Sequence, residues 1–181
     1  MRRTMWVCVF VLLVASQAAA QDEHHRAEFG ILYEHLGVKS HPLSEDRSFG
    51  LDGINIGVAW YLTSWVAVKG EVGGQWGRPF DVLTSMYSYL FGLQVAWQNP
   101  TPWLPWAHFL IGAHRVKFDV DIPGAFSIRE NTLAMVTGGG LDVRFRRWLA
   151  YRPIEVSHVF TTFGDESQNN WRLKSGLVFR F

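Results

Sequence analysis

Apolar and polar side chains alternate from Asn170 to Phe181, and this period of two constrains the fold more than any other feature of the chain. The odd positions carry Trp, Leu, Ser, Leu, Phe and Phe, whereas the even positions carry Asn, Arg, Lys, Gly, Val and Arg. Successive side chains of a β-strand point to opposite faces, so the pattern predicts a strand with one apolar face. Such a strand at a free edge aggregates in water, and lipid tolerates it only where the sheet closes on itself.

The same alternation recurs along the chain and predicts eight strands. The clearest case is 53–62, where Ile54, Ile56 and Val58 share one face with Trp60. Pro153 lies inside the seventh segment and indicates a bulge or a strand start, because proline cannot donate a ladder hydrogen bond. The eight predicted strands span residues 27–38, 53–62, 66–76, 86–97, 105–117, 132–145, 149–160 and 170–181.

The connections between these segments alternate in length. Short links lie at 63–65, 98–104 and 146–148. The long links are polar and lie at 39–50, 77–85, 118–131 and 161–169. Alternating long and short links are typical of an up-and-down antiparallel barrel whose loops lie at one end. An even number of strands would place both ends of the barrel on the same, periplasmic side.

The composition of the two faces decides which one points outwards. The more polar face consists mainly of Gly, Ala, Asn, Ser and Gln, which suit a narrow interior better than a surface in water. The apolar face is large, and aromatic residues lie near its strand ends, as in the girdles of membrane barrels. We therefore predict a transmembrane barrel rather than a soluble barrel or a soluble sandwich. The aromatic residues concerned are Trp60, Trp76, Trp97, Trp171, Phe179 and Phe181.

The first twenty residues have the pattern of a cleaved secretory signal peptide. Arg2 and Arg3 precede a short apolar run, and Ala18 and Ala20 form a small-residue cleavage site. The expected domains are therefore a signal peptide at 1–20 and a barrel domain at 21–181. Cleavage removes Cys8, the only cysteine, and leaves 15 Lys plus Arg against 16 Asp plus Glu. This near-neutral charge argues against a nucleic-acid partner.

Three stretches carry a resemblance to a known family. The run 138–144, the Arg152-Pro153 pair and the segment 169–181 resemble the OmpA-like outer-membrane β-barrel domain of Gram-negative bacteria. The resemblance implies an eight-stranded barrel integral to outer-membrane lipid, with a structural or surface-exposed role in the cell envelope and no enzymatic activity. The residues 21–181 leave no room for a periplasmic cell-wall-binding domain, so anchoring to the cell wall is not expected.

The end of the last strand also resembles the signal that the outer-membrane barrel-assembly machinery reads. Leu177, Phe179 and Phe181 form this pattern. It implies that the assembly machinery and periplasmic chaperones are partners during biogenesis. The loops are expected to carry any recognition of a surface ligand, but their sequences indicate no particular one.

Charged residues on the inward face are the candidate site. Charges inside a narrow barrel must be paired, because an unpaired buried charge costs several kcal/mol. We predict a structural ion-pair network that plugs the lumen, and Glu34 and Arg180 share its face. Its predicted members are Lys69, Glu71, His108, His114, Asp142, Arg144, Glu155, Arg172 and Lys174. The two histidines are six residues apart, about 20 Å along a strand, so they cannot share a metal ion. No cofactor is expected.

Two other functions remain as alternatives. A small passive porin or channel would use the same inward charges as an ion pathway. A membrane-embedded hydrolase that modifies lipid A would need a Ser-His pair, which Ser157 and His158 suggest. However, neighbours on a strand point to opposite faces, and the His-x-Ser spacing of such hydrolases is absent. The glycine run 138–140 lies inside a strand and is interpreted as a place of close packing rather than a phosphate loop.

Overall fold

The computed structural model describes residues 25–39, 48–79, 83–97, 99–119, 128–163 and 166–181. The predicted signal peptide at 1–20 lies outside these residues. No helix in the described part of the chain is long and apolar enough to cross a membrane. The strands are β1 Ala27–Lys39, β2 Ser48–Tyr61, β3 Val66–Gly77, β4 Leu83–Ala96, β5 Trp103–Asp119, β6 Ile128–Arg146, β7 Leu149–Phe163 and β8 Glu166–Arg180.

These eight strands form one closed sheet in sequence order. Every neighbouring pair is antiparallel, and β1 closes the barrel by pairing with β8 from Glu28 opposite Arg180 to Gly37 opposite Trp171. The edge of β8 that would aggregate in water is therefore covered by β1. The predicted all-β fold, an eight-stranded antiparallel up-and-down barrel, is confirmed.

The two ends of the barrel differ in their connections. At the end that we call the turn end, the links are residues 62–65, 97–102 and 147–148. At the opposite loop end, the strands are joined through 40–47, 78–82, 120–127 and 164–165. The strands extend further towards the loop end than predicted, since β6 begins at Ile128 and β8 at Glu166. Backbone pairing continues there beyond the segment in which apolar residues alternate, so the sequence pattern stops before the strand does.

The outward face is apolar, as predicted. On β4, the side chains of Tyr89, Phe91 and Leu93 are 55%, 60% and 53% exposed, while Leu90 between them is buried. Large apolar side chains also point outwards on the other strands, and Ile54 and Val58 of β2 are examples. A continuous apolar surface of this kind is incompatible with water and matches the hydrocarbon core of a bilayer.

Aromatic and polar side chains mark the limits of this apolar belt. Trp60 lies at the turn end of β2, and Asp52 lies eight residues away at the loop end. Eight residues of strand span about 26 Å along the strand, or about 20 Å along the membrane normal at a tilt of about 40°, slightly less than the apolar band of about 25 Å in outer-membrane barrels. Beside Asp52, Trp76 makes an edge-to-face contact with Tyr87 at 6.5 Å between ring centroids.

The interior is filled by side chains of two kinds. A buried apolar cluster occupies its loop-side part, with Phe49 packed against it; its members are Leu36, Leu51, Met86, Leu90, Leu110, Val116, Ala134, Val136 and Val159. Charged and amide side chains predominate in the part nearer the turn end, where Tyr61 and Trp106 belong to a second, smaller apolar cluster. Alternation thus produces both lumen regions, because every second residue of each strand points inwards.

Candidate functional site

Ten buried charged side chains form the candidate site inside the barrel, which we call the lumen network. Five are acids and five are bases, so their formal charges cancel among the described residues. Each of the ten has an oppositely charged partner within 4.0 Å. The members are Glu28, Glu34, Glu71, Asp142, Glu155, Lys69, Arg152, Arg172, Lys174 and Arg180.

Glu71 on β3 is the centre of the network. Its Oε1 lies 3.0 Å from Nζ of Lys69, and its Oε2 lies 2.6 Å from Nζ of Lys174. Arg172 donates from Nη2 to the same Oε2 at 3.1 Å. Three cations therefore converge on one carboxylate that is 3% exposed. Charge-assisted hydrogen bonds of this length are the strong ones in a low-dielectric interior.

Glu155 on β7 relieves the excess positive charge around Glu71. Its Oε1 lies 2.9 Å from Nζ of Lys174, and its Oε2 accepts a hydrogen bond from Nη1 of Arg152 at 2.9 Å. Lys174 thus bridges two carboxylates from opposite sides of the lumen. Such a bridge holds β3, β7 and β8 at a fixed separation.

A second centre lies at Asp142, near the turn end. Arg152 binds its two oxygens from Nε and Nη2 at 2.7 and 3.1 Å, and Arg180 donates to Oδ2 at 2.9 Å. Trp106 donates from Nε1 to Oδ1 at 3.0 Å. The Trp106 ring also has Arg152 at 4.0 Å and Lys69 at 4.4 Å from its centroid, distances that favour cation–π attraction.

Glu28 and Glu34 connect the network to β1. Glu28 is 3.0 Å from Nη2 of Arg180, and it also accepts hydrogen bonds from the hydroxyl of Tyr61 and the amide of Gln94, each at 3.0 Å. Glu34 accepts from the Gln75 amide at 2.7 Å. Its other neighbour is Arg172, whose Nη1 lies 3.8 Å away. Neutral amides and one tyrosine hydroxyl thus donate hydrogen bonds to the two acids that have the fewest cationic partners.

Sequence reasoning missed Arg152, which has the parity of the outward face. The register between β7 and β8 shifts between Arg152 and Glu155, so Pro153 and Ile154 both point outwards while Arg152 and Glu155 both point inwards. This is the behaviour of a β-bulge. The proline at 153 was the available signal, but proline alone does not indicate how many residues a bulge contains.

The structure brings eight of the nine predicted site residues into the lumen, where all are buried. Arg144 is the exception, and its expected place in the network is wrong. Its guanidinium donates from Nη2 to the carbonyl oxygens of Pro100 and Thr101 at 3.0 and 3.1 Å. Arg144 lies only two residues from the end of β6, where the lumen opens. Its side chain therefore anchors the β4–β5 turn instead of reaching inwards.

The two predicted histidines occupy different surroundings. His108 lies against the network, with Nδ1 at 3.0 Å from Lys69 Nζ and Nε2 at 3.3 Å from the hydroxyl of Ser157. His114 lies nearer the loop end, opposite Ser88 of β4. Its Nε2 is buried without a hydrogen-bond partner in the described structure.

Burial and neighbouring ammonium groups limit the chemistry that the side chains around His108 can perform. Ser157 and His108 have the contact of a nucleophile and a base, but both are buried, at 1% and 4% exposure. Ligand atoms of Glu71, His108 and Glu155 also lie within 4.8 Å of one another, a spacing suited to a metal ion. Lys69 and Lys174 already place ammonium groups on these atoms, so a metal ion would have to displace both.

Several buried polar atoms of the lumen have no hydrogen-bond partner in the described structure. They include both side-chain polar atoms of Asn55, Oε1 of Gln75 and the hydroxyl of Ser88, and these three side chains surround Gly73. Buried polar groups in native proteins are commonly satisfied by ordered water. A cavity of about 20 Å³ lies beside Lys69 and Glu71. It is large enough for one water molecule.

The glycine run on β6 provides space for two of the site's side chains. A Cβ atom on Gly140 would lie 2.7 Å from Cζ2 of Trp106, and one on Gly138 would overlap the hydroxyl of Ser157. The bulky Trp106 comes from the adjacent strand β5, so the glycine run is a place of close packing, as interpreted from the sequence. Glycine at 140 therefore lets the indole lie flat against the wall beside Asp142.

Comparisons with known proteins identify the fold only. No known protein family matches the chain, and no curated protein matches it. Among solved structures, Neisserial surface protein A matches with a TM-score of 0.71 and 11% identity over 86% of this chain and 97% of its own. Outer membrane protein OprG from Pseudomonas aeruginosa has a TM-score of 0.60 and 7% identity over 87% and 97%. Ail, the attachment invasion locus protein of Yersinia pestis, has 0.57 and 16% over 87% and 99%.

Proposed function

We propose that this protein is a non-enzymatic, integral outer-membrane barrel with a structural or surface-exposed role in the envelope and a lumen closed to ions. The apolar belt and the fold shared with known outer-membrane proteins support the location. The OmpA-like relationship suggested by the sequence is part of the same proposal. The observation that carries the closed lumen is the balance of five acids and five bases, each within 4.0 Å of an opposite charge.

Paired charges oppose conduction for two reasons. Their side chains occupy the narrow interior of an eight-stranded barrel, which has only enough room for side chains. They also leave little fixed charge uncompensated, so a permeating ion would have to break strong pairs. The apolar cluster around Leu36 and Leu51 adds a dry region on the loop side, which disfavours an ion still further.

The test compares single-channel current and thermal stability of the wild type and Asp142→Ala. The substitution leaves Arg152 and Arg180 without their shared carboxylate, and loss of one partner of a buried pair typically costs about 3–5 kcal/mol. A closed lumen predicts little wild-type current, a lower melting temperature for the variant and equal or higher conductance through it. Asp52→Ala is the matched control, because Asp52 lies on the outside of the barrel.

A small passive channel is the competing proposal, and the small cavity beside Lys69 and Glu71 is the observation that favours it. A channel predicts steady current through the wild type, together with a change of ion selectivity and an unchanged melting temperature in Asp142→Ala. That result would overturn the closed lumen. A change of similar size in Asp52→Ala would show that the effect does not arise in the lumen.

Export and assembly form a further part of the proposal. We infer that residues 1–20 are cleaved during export, and that Leu177, Phe179 and Phe181 are read by the barrel-assembly machinery. Phe181 lies beside the barrel seam, where its backbone N–H donates to the carbonyl of Ala27 at 2.9 Å. Phe181→Ala is expected to lower the outer-membrane yield and leave secretion unchanged. Equal yields in cells would count against the signal.

A further inference from the structure

The exposed charged side chains at the turn end are all positive in the part of the chain that the structure describes. Arg26, Arg144, Arg146 and Arg147 reach the surface there, whereas the nearby acids Glu28 and Asp142 point inwards and are paired. The loop end differs, since its exposed Asp52 pairs with His35 and lies on the same outer face as Arg115. Among the described residues, the turn end therefore has exposed arginines without an exposed acidic side chain, whereas the loop end has both.

Three of these four arginines are free to bind a ligand. Arg144 is occupied by the carbonyl groups of Pro100 and Thr101. Arg26, Arg146 and Arg147 have no side-chain partner among the described residues. Arg146 ends β6 and Arg147 begins the turn to β7, while Arg26 precedes β1 and donates its backbone N–H to Phe181 at 2.7 Å. Only β7 and β8 separate the two positions, so they lie roughly 10–15 Å apart around the rim, at about 4.8 Å per strand.

An aromatic surface lies between these arginines on the lipid side. The ring of Trp148 stacks on Phe179, with centroids 6.2 Å apart and planes 16° apart, and Phe179 in turn contacts Phe29 at 6.3 Å. Trp60 continues the row, because its strand position is paired with Ala27. Trp148 and Trp60 are 55% and 44% exposed. The patch is therefore apolar, outward-facing and bordered by cations at the level where headgroups begin.

We propose that the turn end contains a binding site for an anionic glycerophospholipid. Arg146 and Arg147, with Arg26 on the other side, bind the phosphate and acidic headgroup, while the acyl chains lie on Phe29, Trp148 and Phe179. Guanidinium groups suit this role because their planar donors match phosphate oxygens in pairs. The proposal rests on the membrane placement given above, since only a bilayer brings headgroups to this level.

The experiment measures quenching of tryptophan fluorescence by brominated lipids. The protein is extracted from the membrane and placed in nanodiscs that contain brominated phosphatidylcholine or brominated phosphatidylglycerol at matched fractions. Each arginine near an anionic surface contributes about 1 kcal/mol, or roughly fivefold in relative affinity. We expect the wild type to prefer phosphatidylglycerol by fivefold or more, and Arg146→Gln/Arg147→Gln to lose most of that preference. Salt should weaken it, because the cations are exposed.

Arg78→Gln/Arg115→Gln is the matched control, because both residues are exposed towards the loop end, and it should retain the wild-type preference. Equal quenching by the two lipids in the wild type would overturn the site while leaving the membrane placement intact. Absence of quenching by brominated phosphatidylcholine would instead reject the membrane placement. Loss of binding to purified cell-wall sacculi in Arg146→Gln/Arg147→Gln, without any change in lipid preference, would assign the arginines to the cell wall and overturn the proposal.

Discussion

The lumen network and the apolar cluster are built on the same inward face of the same strands, yet they stabilise the barrel differently. On β1, Leu36 of the cluster follows Glu34 of the network by one inward position towards the loop end. The cluster depends on volume and contact, which are non-directional. The network depends on matched charge, because each buried charge is costly without its partners. The difference teaches that an inward position is specified by its neighbours and not by alternation alone.

The largest expected effect comes from a substitution in the network that preserves volume. Glu71→Gln keeps the shape of the side chain but removes the charge that faces Lys69, Arg172 and Lys174. We expect the free energy of unfolding to fall by about 3–5 kcal/mol, as for a buried pair that loses one partner. Urea titration of the barrel measures it. Adding Lys69→Met should recover part of the loss, and strictly additive effects would contradict an electrostatic cause.

In the apolar cluster, the free energy of unfolding should depend on side-chain volume rather than on charge. Leu110 is 0% exposed, so Leu110→Ala leaves a cavity and is expected to cost about 3 kcal/mol. Leu110→Met conserves volume and should cost less than about 1.5 kcal/mol. The same urea titration compares both with Glu71→Gln. A Leu110→Met variant as unstable as Glu71→Gln would remove the distinction between the two regions.

Much of the barrel could be predicted from the sequence, because membrane strands alternate under a strict physical constraint. The outward residues must be apolar and the inward ones must fit a narrow space, so Ile54, Val58 and Leu93 indicate their faces locally. Strand ends towards the loops could not be predicted in the same way. Beyond the membrane, β6 and β8 continue through residues under no such constraint, and pairing with neighbours alone extends them.

The site was only partly predictable for a different reason. Parity indicates which residues face inwards, and it identified Glu71 and Lys174 correctly, but it contains no information about bulges or depth. The bulge at Pro153 turned Arg152 inwards, and the end of β6 left Arg144 at the rim. Parity also does not indicate which side chains pair with one another across the lumen. Glu71 and Lys174 are 103 residues apart in sequence and meet only because the barrel closes.

A smaller effect is expected where the network meets an aromatic ring. Trp106→Phe preserves an aromatic side chain but removes the hydrogen bond from Nε1 to Asp142. A hydrogen bond to a charged group contributes about 1.5–3 kcal/mol, so we expect a loss of about 2 kcal/mol in the urea titration. Trp103→Phe is the control, because Trp103 lies outside at the turn end and should change stability by less than about 0.5 kcal/mol. Similar losses in both variants would show that the Asp142 contact is not the cause.

The smallest effect is expected on the outside of the barrel, where polar contacts are exposed. Tyr33 donates to Asp52 at 2.5 Å, and His35 Nδ1 lies 2.7 Å from the same oxygen, but the Asp52 side chain is 58% exposed. Tyr33→Phe leaves Asp52 in contact with His35 and with solvent, so the expected loss is below about 1 kcal/mol. Tyr61→Phe makes the same chemical change inside the lumen, where the hydroxyl donates to Glu28.

That buried change should cost about 1.5–3 kcal/mol, because Glu28 keeps its charge and loses a donor that water cannot readily replace. The two tyrosines thus test the burial of a polar contact with the chemistry held constant. Unfolding of both variants by urea, in the same lipid and at the same pH, gives the ratio directly. If Tyr33→Phe destabilised the barrel as much as Tyr61→Phe, exposed and enclosed polar contacts would be equivalent in this protein. Burial would then not strengthen the polar contacts of the lumen network relative to those on the outside of the barrel.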